Sequence, residues 1–118
     1  MTPLHRERYN LLIERDMMQD WDKERQALFY VLSGNEDLFK KVDYLYDFEK
    51  RAIKLDYPIR VDFSSSSQKL IRLAFNLFNG VTYENDGVIN LVTGLDEKNL
   101  DLAMEAILIR IDRHEMFS

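Results

Sequence analysis

The chain contains no cysteine and only two histidines, two prolines and four glycines, and no stretch approaches the roughly 18 consecutive apolar residues of a membrane-spanning helix. Without cysteine there is no disulfide framework, no thiolate metal site and no thiol nucleophile, which suits a reducing compartment. Metal or acid/base chemistry would need His5 or His114 beside a second ligand or a placed carboxylate, and neither has one in sequence. His114-Glu115 begins like the zinc-protease helix motif, but the position four residues on is Ser118, so His114 reads as a last-turn residue that complements a helix dipole.

Glycine is also missing from the serine run at residues 64–67, where Lys69 follows. A nucleotide cradle needs glycines that let the backbone wrap phosphates, so the run reads as helix capping rather than anion binding. Residues 1–8 carry charge and a proline where a secretory signal would need an apolar run, and a cytoplasmic location is the expectation. No catalytic residue, cofactor or metal ligand is assigned.

What the chain does have is a balanced composition: 118 residues, 46% hydrophobic and 31% charged, enough for one domain with one core. Twenty-one acids against 16 bases give a net charge of -5, which disfavours attraction to nucleic-acid phosphates and fits a protein partner better. The charge is mixed along the chain, with its largest local excess, six acids against three bases, in residues 96–118.

Hydrophobic periodicity predicts a mainly α, compact single-domain bundle of five or six helices spanning residues 1–118, with a short two-stranded β element as an option. Thr2-Pro3 starts the first helix, which runs to about Asp16. Asp20 or Asp22 starts the second, and Gly34 ends it as a left-handed cap. Asn35 caps a third, whose apolar positions Leu38, Phe39, Val42, Leu45, Tyr46 and Ile53 imply a long helix bent near Asp43.

Tyr57-Pro58 blocks further helix, and Ile59, Val61 and Phe63 alternate with Arg60 and Asp62 as in a short strand, with which residues 81–83 could pair. Ser65, with Gln68 three residues on, predicts a capping box opening a helix that Gly80 closes. Residues 88–92 fit helix or strand, and Asp96 caps a last helix. The helix after the serines and the last one are apolar around most of their circumference, so the expectation is that these two form the heart of the fold.

Five carboxylates, Glu14, Asp16, Asp20, Asp22 and Glu24, crowd one helix junction and could hold a cation or imitate a phosphate backbone. Arg15, Lys23 and Arg25 interleave with them, and no EF-hand spacing is present, so a solvated, salt-bridged turn is the preferred reading. Lys69, Arg72, Asn76 and Asn79 form one polar stripe, either a binding face or the solvent edge of a buried helix. Fourteen aromatics are many for a small core, and Tyr44, Tyr46, Tyr57 and Tyr83 lie in or near irregular segments. Tyr44 and Tyr46 are therefore candidates for a protein-binding patch with the stripe, against the alternative that each ring packs inward. Trp21 is open to either reading.

Residues 25–35 (RQALFYVLSGN), 61–67 (VDFSSSS) and 70–80 (LIRLAFNLFNG), with the Leu95-Asp96-Glu97 start of the last helix, resemble a family of small uncharacterised proteins of Firmicutes and their phages and mobile elements. The resemblance implies context and no catalytic residues. Small acidic proteins of such elements are similar in size and charge to inhibitors of host proteins, including anti-CRISPR proteins that act on a type II CRISPR nuclease. The expected function is thus a non-enzymatic inhibitor that binds a larger host protein; a homodimer is compatible with it. The alternative is a nucleic-acid-binding regulator that uses Lys69 and Arg72 as phosphate contacts.

Overall fold

The computed structural model describes residues 1–113; His114 lies outside them. Helix α1, Pro3–Asp16, starts as predicted: Thr2 Oγ1 accepts from the amide of His5 at 3.1 Å, and proline occupies the first turn, where its missing N–H leaves no orphan. Met17 closes it in the left-handed region at φ 54°. Helix α2, Lys23–Gly34, is capped by Asp22, whose carboxylate accepts from the Arg25 amide at 3.1 Å. The cap is Asp22 rather than Asp20, since the helix begins at Lys23, and the Asp20 carbonyl accepts from the Gln26 side chain instead.

All eight residues 26–33 of α2 are buried, and α1, α5 (Ser65–Asn79) and α7 (Glu97–Arg110) pack around it. The heart of the fold is therefore α2, and the two helices expected there flank it. Gly34 shows why they come so close. It is the last residue of the helix, not a left-handed cap; positive-φ glycines are Gly80 and Gly94. A Cβ at Gly34 would sit 2.3 Å from Leu102 Cδ1 of α7 and 2.9 Å from the His5 ring of α1, so the missing side chain lets three helices converge. Gly34→Ala is expected to cost about 1–2 kcal/mol by overpacking, despite alanine's better helix propensity. In a chemical-denaturation double-mutant cycle with Leu102→Ala, the two changes should couple favourably.

Asn35 caps the next helix as predicted, accepting from the Leu38 amide at 3.1 Å, but α3 ends after five residues, Glu36–Lys40, and a 3-10 turn follows at Val42–Tyr44. The long bent helix does not form. Instead β1, Tyr46–Asp47, pairs antiparallel with β2, Ala52–Ile53, with Tyr46 opposite Ile53. Asp47 is the reason. Its carboxylate accepts from the amides of Glu49 and Lys50 at 3.0 and 2.9 Å, giving those amides a turn in place of helical carbonyls, and Arg51 completes it at φ 55°.

The expected strand at residues 59–63 is also absent. Tyr57–Arg60 is a short helix, α4, that tolerates Pro58 in its first turn, and Ile59 projects into solvent. Among the described residues the hairpin is the sole sheet, and residues 81–83 are loop. Helix α5, Ser65–Asn79, is capped by Ser64, not Ser65: Ser64 Oγ accepts from the Ser67 amide at 3.1 Å, and the Gln68 side chain donates to the Phe63 carbonyl instead of closing a capping box. Gly80 ends it at φ 80°. Short α6, Val88–Val92, precedes α7, Glu97–Arg110, which Asp96 caps through the Asn99 amide at 2.8 Å.

Candidate functional site

The polar stripe of α5 is not an open face. Lys69 Nζ donates to the Thr93 carbonyl, Asn76 Nδ2 to the Val81 carbonyl at 3.3 Å, and Asn79 Oδ1 accepts from the Val81 amide at 3.1 Å. Arg72 faces the buried Asp86 carboxylate at 3.9 Å and lies over the Tyr83 ring. All four side chains hold the segment that follows α5 against the helix. Lys69 and Arg72, the cations of the nucleic-acid reading, both have partners inside the chain, and no observation here favours that reading.

The tyrosines separate. Tyr44 is half exposed and lines a shallow depression with Ala52, Ile53 and Leu55, whereas Tyr46 is completely buried and has no surface to offer a partner. Tyr57 is buried as well, edge-on to Phe63 and Phe75, and Trp21 stands exposed. Tyr46 was placed in the core by something the sequence reading missed: Asp16, from the acidic junction, is buried and accepts from the Tyr46 hydroxyl at 2.6 Å. Arg51 Nη2 reaches the same carboxylate at 2.9 Å and Arg25 Nε approaches to 3.7 Å. Burial first, then the hydrogen bond to Asp16, push the Tyr46 phenol up to about 12. The junction is thus part solvated turn and part buried ion cluster. Its signal in sequence, an acid followed far downstream by arginine, is too common to read.

Three helix starts, at Asn35, Ser64 and Asp96, open on one polar cleft that Lys40 and Lys98 also line. Each cap side chain already takes an amide of its own helix, and the carboxylates of Glu36, Asp37 and Asp96 stand among them, which opposes an incoming anion. No group of three or more His, Asp or Glu side chains is placed to hold a metal ion among the described residues.

Helix α7 presents a different surface. Leu102, Ala103, Ala106 and Ile109 are buried, and the small alanines let the helix approach α2 closely. At about 3.6 residues per turn, Leu100, Met104, Leu108 and Ile111 fall on the opposite side as a second apolar ridge. Leu100, Met104 and Ile111 are 36%, 51% and 59% exposed. The all-round apolar pattern of α7 therefore does not mean all-round burial. Glu97, Asp101 and Glu105, four residues apart, run along one edge of the ridge, against Lys98. Arg110, the base of the last turn, is turned inward to the Leu77 carbonyl at 2.7 Å and to Glu24 at 3.6 Å. The edge is anionic enough to be felt below it: burial, then Glu105 and Asp101, push the Tyr30 phenol up to about 12.

A family model matches residues 1–115. The chain belongs to DUF6075, a family of unknown function. No curated protein and no solved structure matches it. In this DUF6075 member no helix among the described residues is long and apolar enough to cross a membrane.

One further group of the DUF6075 domain is perturbed by its surroundings. His5 of α1 is half-buried against the Tyr30 ring, with Nε2 2.9 Å from the Tyr30 carbonyl. Burial lowers its pKa below the ordinary 6.5, although the bond to Tyr30 opposes this, and the amino terminus and Lys98 add to the lowering. The unfolded chain therefore takes up the proton first as pH falls, so the contribution of neutral His5 is complete above about 6.5 and is lost from there down towards the folded pKa. Urea midpoints at pH 7.5 and 5.5 should differ more for the native chain than for His5→Gln.

Proposed function

We propose that the chain is a protein-binding module without chemistry of its own, which docks on a larger protein through the outer face of α7. The observation that carries this reading is the bare apolar ridge of Leu100, Met104 and Ile111 with carboxylates along its edge, since an exposed apolar stripe rimmed by charge is the anatomy of an interface. The likeness of three segments to small proteins of Firmicutes mobile elements extends the reading to an inhibitor of a host protein. In its sharpest form the partner is a type II CRISPR nuclease.

Affinity purification from the native or infected host, followed by mass spectrometry, tests the docking reading. The native chain should retain a protein that Met104→Asp loses and that Lys50→Glu, on the far hairpin, still retains. Equal capture by Met104→Asp would contradict it. The nuclease version is tested separately by adding purified protein to guide-loaded nuclease; undiminished cleavage across several orthologues would end that version and leave the docking reading standing.

A further inference from the structure

We propose that the outer face of α7 takes an amphipathic helix whose apolar stripe is bordered by lysine or arginine. The inference rests on the protein-binding reading above and names the partner's chemistry. Leu100, Met104, Leu108 and Ile111 follow one another at steps of four, four and three, which makes a nearly straight ridge about 16 Å long at 1.5 Å per residue. A ridge of this kind is complemented by the groove between side-chain rows of another helix, and three turns of partner suffice to cover it. The inner face of α7 already packs on α2.

Charge selects among helices. The carboxylates of Glu97, Asp101 and Glu105 border the ridge and outnumber Lys98 beside them, and Arg110, near its far end, is occupied by Leu77 and Glu24. A helix with acids beside its apolar stripe would bring like charges together, and a helix with bases there would meet three carboxylates spaced one turn apart. A second copy of this chain carries the same acids in the same places, so pairing of two α7 faces is disfavoured by the charge that favours a basic partner.

The test uses the full chain and two synthetic helical peptides of 18 residues, each with leucine at matching steps, one with lysine and the other with glutamate beside the stripe. In fluorescence anisotropy at low salt the lysine peptide should bind at least about tenfold more tightly than the glutamate peptide, and salt should narrow the difference. Asp101→Lys at an exposed position, with Glu105→Lys at a half-buried one, should reverse the preference, with circular dichroism confirming an intact fold. Equal affinities, or preference for the glutamate peptide, would overturn the proposal. So would a dimer in sedimentation velocity that Met104→Asp disperses, because the ridge would then belong to a second copy. If peptide charge is irrelevant while Met104→Asp still abolishes capture of the host protein, the basic partner fails and the docking reading survives; if capture survives Met104→Asp, the docking reading itself has failed.

Discussion

Replacing Asp16 with alanine is expected to lower the unfolding free energy by about 3 kcal/mol, the lower end of the range for breaking a buried ion pair from one side. The carboxylate is 1% exposed and is the common acceptor for the Tyr46 hydroxyl and the Arg51 guanidinium, with Arg25 alongside. Its removal takes the acceptor from the buried Tyr46 hydroxyl, which keeps the Arg25 Nε donor at 3.0 Å, and leaves Arg25 with Asp22 as its remaining carboxylate. Arg51 is more than a third open to water and can rehydrate, which is why the figure is not larger. Asp16→Asn keeps an acceptor for Tyr46 and loses the charge, so it should fall between the native chain and the alanine variant. Urea denaturation followed by circular dichroism reads both, and a loss under about 1 kcal/mol for Asp16→Ala would mean the cluster is not structural.

Phe29→Ala should cost about 3–5 kcal/mol. Phe29 is fully buried in the middle of α2, edge-on to Tyr46 at 5.1 Å and stacked with Phe48 at 6.1 Å, and so it joins the central helix to the hairpin. Truncation opens a cavity beside Tyr46 and Phe48, and Phe48, over which Arg15 lies at 3.9 Å, loses its stacking partner. Ile59→Ala, at an exposed position, should change stability by no more than about 0.5 kcal/mol in the same assay. Similar losses at the two positions would contradict the placement of α2 at the centre.

The parts of the fold that could be read from the sequence are those decided within a few residues. Thr2, Asp22, Asn35 and Asp96 cap helices through their own side chains, and Gly80 adopts the left-handed conformation that closes α5. Errors arose where a distant partner decides, and also where a nearby side chain takes amides that periodicity assigns to a helix. The spacing of Leu38, Val42, Leu45 and Tyr46 suits a helix, but Asp47 captures the next amides and Asp16 draws Tyr46 inward, so a hairpin forms. Gly34 suits a helix end for either reason, and only the approach of Leu102 distinguishes them.

The same division applies to the site. The polarity of Lys69, Arg72, Asn76 and Asn79 was legible, but the segment that occupies them, residues 81–93, contacts α5 through tertiary structure. The apolar excess of α7 was legible too. Which half of it is buried depends on Ala103 and Ala106 fitting against α2, and that leaves Leu100, Met104 and Ile111 outside.

The claim that α7 is a docking helix is tested most directly by placing a photo-crosslinking phenylalanine analogue at position 104 and, separately, at the exposed position 59, then irradiating cells that carry each protein. Adduct with a larger host protein from position 104 and none from position 59 is the predicted result. Adduct from 59 alone, or from neither position while the native chain still captures a partner, would contradict it.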